Sequence, residues 1–182
     1  KGYKVEFAGE NEEIANVKDD MIIAGIVAIL LVFMIMAIQF QSLKHPFIIL
    51  FTIPLAFTGG LLALFITGLT ISMVAMVGLI ILSGIIVNNG IVLIDYINQL
   101  REEGLSVNEA IITAGKVRLR PIFMTALTTI LALVPMALGY GEGGELLQPL
   151  GVTAIGGLVY GTILTLIVAP IIYRIFQRDI SE

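Results

Sequence analysis

The sequence predicts an all-α membrane protein, a five-helix transmembrane bundle with one short interfacial amphipathic helix. Three observations carry that fold class. Of 182 residues, 58% are apolar and only 13% charged, whereas a soluble domain is roughly 45–50% apolar and about a quarter charged. The mean hydropathy is +1.02. The apolar residues also fall into five long runs between short polar breaks, unlike the ~10-residue alternating strands of a membrane barrel. Lipid is therefore the solvent that the composition implies.

The elements follow in order. Residues 1–14 open with KGYKVEFAGE, where Val5 and Phe7 alternate with Lys4 and Glu6 as in a half-buried strand. A lone strand has no sheet to join, and the chain starts at Lys1 with neither an initiator Met nor a signal-peptide pattern. A piece of a longer protein is expected. The first helix is expected at about 15–39, since Met21 to Ile38 has no polar side chain and spans about 27 Å when helical. It ends at QFQSLKHP, where Pro46 favours a break.

The second helix, about 47–67, carries Pro54 and the Gly59-Gly60 pair and stops at TGLTIS. The third, about 71–100, contains GIIVNNGIVLIDY, and Gly104 can close it with a left-handed cap. Ser106-Val-Asn-Glu109 is a capping box. It opens a helix at about 106–117, where Val107, Ala110, Ile111 and Ala114 make one apolar stripe. That helix is expected to lie along the membrane surface. Pro121 suits the first turn of the fourth span, about 121–140. The fifth span, about 148–176, holds Gly157-Leu-Val-Tyr-Gly161, a spacing that lets two helices touch.

Charge sets the expected orientation. The first loop, the third loop and the C-terminus share a side bearing Lys44, Arg101, Lys116, Arg118, Arg120, Arg174 and Arg178. The opposite loop, GYGEGGE, has Glu142 and Glu145 and no base. Basic residues accumulate on the cytoplasmic side, so the N-terminus is expected outside and the C-terminus in the cytoplasm.

Asn88 and Asn89 are the conspicuous polar groups at membrane depth. An unsatisfied amide is expensive in hydrocarbon, so both require partners inside a bundle. Adjacent helical residues project about 100° apart, so the two cannot serve one narrow interface. Either both are interhelical hydrogen-bond glue, or one faces a polar pathway for protons or ions. Thr125, Thr128 and Thr129 in the fourth span ordinarily bond preceding carbonyls. Arg118 and Arg120 at its mouth ordinarily snorkel to headgroups. Asp95 closes the third span near the same interface.

Several function classes are excluded. The absence of cysteine removes disulfides and thiolate metal sites. The single histidine, His45, has no second ligand nearby and reads as structural or solvated, so no metal or cofactor is expected. No basic stripe interleaved with aromatics points to nucleic acid. Hydrolase, metalloprotease and phosphate-loop signatures are missing, as are paired membrane carboxylates, so the chain does not read as an enzyme.

Four stretches, QFQSLKHPFIILFTIPLAFTGG, VNNGIVLIDY, KVRLRPIFMTALTTILALVPMALGYG and APIIYRIF, in this order, resemble the resistance–nodulation–division (RND) efflux family. More narrowly, they are similar to its hydrophobe/amphiphile drug exporters. The resemblance covers nearly the whole chain and corresponds to the last five of the family's twelve transmembrane helices. Residues 1–14 would then be the tail of an extracytoplasmic porter domain. The most specific part is RLRPI followed by MT after IVLIDY.

The resemblance implies a homotrimeric, proton-driven antiporter of the bacterial cytoplasmic (inner) membrane that exports drugs or other amphiphiles. Its implied partners are the missing N-terminal half of the same protein, a membrane-fusion adaptor and an outer-membrane channel. In that family two aspartates on the fourth helix carry protons. A lysine on the tenth helix, an arginine opening the eleventh and a threonine within it complete the relay. The arginine falls on Arg118 and the threonine on Thr125. The lysine position falls on Asn88, which is a departure. Asparagine can bond a carboxyl but cannot neutralise it, so the aspartate pKa values are expected to rise, and the coupling ion, proton or sodium, stays open. The implied relay set is Asn88, Asn89, Arg118 and Thr125, with Asn88 facing the aspartates and Asn89 packing nearby. The alternatives are a superfamily relative that assists protein export or moves lipids, and a non-transporting structural bundle.

Overall fold

The computed structural model describes residues 10–141 and 143–177. Among them are six helices: α1 (Glu10–Phe40), α2 (Lys44–Leu50), α3 (Thr52–Thr67), α4 (Met73–Glu102), α5 (Val107–Ala137) and α6 (Gly144–Phe176). There is no strand among the described residues. Helices α2 and α3 run on as one apolar segment, Lys44–Thr67, interrupted at Phe51, so five segments are long and apolar enough to cross a membrane. The expected all-α bundle is present.

Helix α6 is the hub and packs on α3, α4 and α5, while among the described residues α1 packs chiefly on α2 and α4. The hub position follows from small residues. A Cβ added at Gly59 of α3 would lie 2.9 Å from the Gly156 carbonyl oxygen, and one at Gly156 would lie 3.0 Å from that of Gly59. Each glycine receives the other's backbone, so the two helices meet main chain to main chain. Gly157 and Gly161 lie as closely on Ala56 of α3, and they receive the side chains of Leu82 and Ile86 of α4. Outward-facing apolar side chains remain bare, among them Ile23, Ile26, Leu30, Ile35 and Ile38 of α1. That surface suits lipid or further helices rather than water.

The turn from α4 to α5 is built from local chemistry. Gly104 sits at φ +94° and its N–H donates to the Arg101 carbonyl, while Leu105 N–H reaches Leu100. The expected capping box is formed: Ser106 Oγ accepts from Glu109 N–H at 3.3 Å, and Glu109 Oε2 accepts from Ser106 N–H at 3.1 Å.

Two expectations need correction. The helix at 106–117 does not stand apart on the membrane surface. It continues through Pro121 as the first half of α5. Its stripe of Val107, Ala110 and Ala114 is 0–2% exposed and packs in the core with Ile97, Leu100 and Tyr173. Burial in protein on this scale, about 25 cal/mol per Å², keeps the helix continuous past a proline that a local rule would place at a helix start. The strand-like reading of residues 1–14 also fails over residues 10–14, which are the first turns of α1. Residues 1–9 lie outside the described residues.

Candidate functional site

Helix α4 places its two amides on different sides. Gly78, Leu82, Ile86, Asn89 and Leu93 form the buried stripe that meets the rest of the bundle, and Asn89 is 5% exposed. Ile81, Gly84 and Asn88 lie on the exposed side. The angular offset of about 100° between neighbours therefore sends one amide inward and its neighbour outward.

Helix α5 runs back along α4 and brings the other expected residues to the same region. Arg118 is half-buried, and its guanidinium carbon stands 4.5 Å from the centroid of the Tyr96 ring on α4. Its Nε is buried with no hydrogen-bond partner in the protein. Arg120, by contrast, is exposed. Thr125 is exposed, and its hydroxyl donates to the Ile122 carbonyl at 2.9 Å. Thr128 and Thr129 likewise donate to Met124 and Thr125 carbonyls. Asn88 lies eight residues before Tyr96, and Thr125 lies seven after Arg118. In antiparallel helices rising 1.5 Å per residue, both sit roughly 11–12 Å from the ring–guanidinium contact. Asn88 and Thr125 are thus at a similar depth, each exposed on its own helix, with Arg118 nearer the turn. Asn89 shares the stripe of Tyr96, the ring that Arg118 meets, while Asn88 stands about 80° round the helix from that ring.

Helices α4 and α6 also carry buried polar atoms that lack partners in the protein. Helices α4 and α6 run parallel, since Gly157 approaches Leu82 and Gly161 approaches Ile86. One turn further on, Thr165 comes level with Asn89, and Thr162 stands one turn before Thr165. Asn89 Nδ2 and the hydroxyls of Thr162 and Thr165 are buried without a hydrogen-bond partner in the protein. Thr52, Thr58, Thr67 and Thr153 instead return their hydroxyls to carbonyls three or four residues earlier.

A second polar node joins the helices near the α4–α5 turn. His45 of α2 is 8% exposed. Its ring stacks on Tyr173 at 5.8 Å and meets the Phe40 ring edge-on at 5.5 Å. Tyr173 donates its hydroxyl proton to Asn98 Oδ1 at 2.7 Å. The Asn98 amide nitrogen lies 3.5 Å from His45 Nδ1, and the Gln177 amide lies 3.3 Å from Nε2. With the Asn98 oxygen taken by Tyr173, its NH₂ faces Nδ1, so Nδ1 accepts and the ring proton sits on Nε2. The two ends of the Gln177 amide are interchangeable, and its oxygen turns to that proton. His45 is structural rather than solvated.

Sequence reasoning missed Tyr96, Thr162, Thr165 and the partners of His45. Tyr96 carried a signal, for it stands seven residues after Asn89 and so shares its stripe. The others carried none that a single sequence displays. Among the described residues no group of three His, Cys, Asp or Glu is placed to hold a metal ion.

Comparison with known proteins agrees with this architecture. Residues 1–177 match the model of the AcrB/AcrD/AcrF family. The swarming motility protein SwrC of Bacillus subtilis (strain 168) is 43% identical over 175 residues, 96% of this chain and 17% of that protein. The cobalt-zinc-cadmium resistance protein CzcA of Cupriavidus metallidurans is 41% identical over 177 residues, 97% of this chain and 17% of its own. The multidrug resistance protein MdtC of Erwinia tasmaniensis is 42% identical over 152 residues, 83% and 15% of the two chains. A crystal structure of a heavy metal efflux pump superposes with a TM-score of 0.80 at 32% identity, covering 92% of this chain and 16% of the pump. The chain therefore spans about a sixth of the length of the proteins it matches. Because the family match runs through all six helices and the same bundle recurs in a solved pump, the chain belongs to the AcrB/AcrD/AcrF family of RND efflux transporters.

Proposed function

We propose that this chain forms part of the membrane engine of a secondary active exporter, driving drugs or other amphiphiles out of the bacterial cytoplasmic membrane against an inward flow of protons. One observation carries the reading. Asn88 and Thr125 are exposed at a similar depth, with Arg118 half-buried roughly 11–12 Å nearer the turn, on helices that are largely apolar. Polar groups at membrane depth face a bundle interior or a polar cavity, not lipid. The exposed faces of α4 and α5 thus close on other helices of the same transporter, and the resemblance supplies an aspartate pair for Asn88. Asn88 bonds that pair without neutralising it, and Arg118 provides the remaining positive charge. In this reading the N-terminus lies outside, the C-terminus lies in the cytoplasm, the transporter is a homotrimer, and an adaptor and an outer channel are its partners.

The test is proton flux in vesicles containing the intact transporter. Asn88→Ala and Arg118→Ala are expected to abolish substrate-dependent acidification, while Asn88→Lys keeps flux with a displaced pH profile. Unchanged flux in both alanine variants would overturn the relay. A second reading, export of divalent metal cations, is favoured by the similarity to CzcA and to the heavy metal pump. The same vesicles, offered a cationic dye or zinc, cobalt and cadmium salts, distinguish the two by which cargo drives flux.

A further inference from the structure

We infer that Tyr96 is a positioning residue for Arg118: its ring holds the guanidinium at the α4–α5 interface without neutralising it. The inference rests on the relay reading above and adds a residue to it. The guanidinium carbon lies 4.5 Å from the ring centroid, within the range of a cation–π contact. Tyr96 itself is half-buried on the stripe that α4 turns toward the bundle, so the contact is partly shielded from solvent.

The choice of an aromatic partner has a chemical consequence. A guanidinium has five N–H donors and no acceptor. A carboxylate neighbour would occupy two of those donors and cancel the charge. An aromatic face attracts the cation through its π-cloud and leaves the N–H edge open, and the buried Arg118 Nε has no partner in the protein. The carboxylate next in sequence, Asp95, is engaged elsewhere, accepting from Gln99 Nε2 at 2.9 Å. Lys116 and Arg120, the other charged groups near Arg118 on α5, are both exposed. The ring thus fixes where the cation stands, and the donors stay free for a titrating acid on another helix.

The experiment uses the intact transporter in proteoliposomes and records substrate-driven proton flux against pH for Tyr96→Phe, Tyr96→Leu and Arg118→Ala. Phenylalanine keeps the π-face and is expected to preserve the rate within about twofold and the pH midpoint. Leucine keeps an apolar side chain without the face and is expected to lower the rate by about tenfold and to displace the midpoint. Wild-type behaviour of Tyr96→Leu with an inactive Arg118→Ala would overturn the positioning role and leave the relay intact. An active Arg118→Ala would instead remove the relay itself. Equal losses in Tyr96→Phe and Tyr96→Leu would also overturn the inference, since the hydroxyl or mere packing would then be responsible. Should Tyr96→Leu fail to fold, the Arg118 side-chain NMR signals of the wild type decide. A ring-current shift of the Arg118 signals, retained in Tyr96→Phe, is expected, and its absence refutes the contact.

Discussion

Replacing Gly156 by alanine measures how closely α3 and α6 approach. The added Cβ would collide with the Ala63 side chain and stand 3.0 Å from the Gly59 carbonyl oxygen, with the Ala63 Cα at 3.5 Å. These obstacles are backbone and a bare methyl, so no side chain can swing aside and the helices must separate. Overpacking of this kind costs about 1–3 kcal/mol. Alanine's better helix propensity returns at most ~1 kcal/mol. The net loss is about 1–2 kcal/mol, or roughly 2–8 °C in a thermal unfolding midpoint for a unit of this size. Gly115→Ala is the control, because nothing lies within 4 Å of its added Cβ, and a gain of up to ~1 kcal/mol is expected. Thermal unfolding of the detergent-solubilised protein, followed by tryptophan-free near-ultraviolet absorbance or a gel-based aggregation assay, compares the two. If Gly156→Ala proved as stable as Gly115→Ala, the main-chain contact between α3 and α6 would be refuted.

The His45 node and the buried threonines give two further tests. Asn98→Ala strands the Tyr173 hydroxyl and His45 Nδ1 together, so a loss of about 2–4 kcal/mol is expected. A double-mutant cycle with Tyr173→Phe should show a coupling of about 1 kcal/mol, and additive losses would disprove the node. Thr153→Val removes a hydroxyl that donates to the Pro149 carbonyl at 2.6 Å and is expected to cost about 1 kcal/mol. Thr165→Val removes a hydroxyl with no partner in the protein and is expected to leave the unfolding midpoint unchanged or raise it. Equal losses in both variants would show that Thr165 is bonded after all.

What was legible in the sequence was what neighbours along the chain decide. Lipid-length apolar runs, the left-handed Gly104 and the Ser106–Glu109 capping box are local, and each stands where the pattern put it. The proline rule at Pro121 was local too, and it lost to the burial of Val107, Ala110 and Ala114 against residues of α4 and α6. The candidate site divides the same way. That Asn88 and Asn89 must point apart follows from helix geometry alone. Which of them turns inward depends on α6, whose Gly157 and Gly161 draw it onto the Leu82–Ile86 stripe and with it Asn89.

Periodicity and hydropathy act within a segment, so the residue pattern alone set the solvent, the helices, their caps and the depth of each polar group. The pairings came from the packed bundle: Arg118 on Tyr96, and His45 with Gln177 at a separation of 132 residues. A helix's own sequence defines its faces. The face that meets a given partner is set by where distant backbones can approach, and in this bundle that is where glycines on α3 and α6 let them touch.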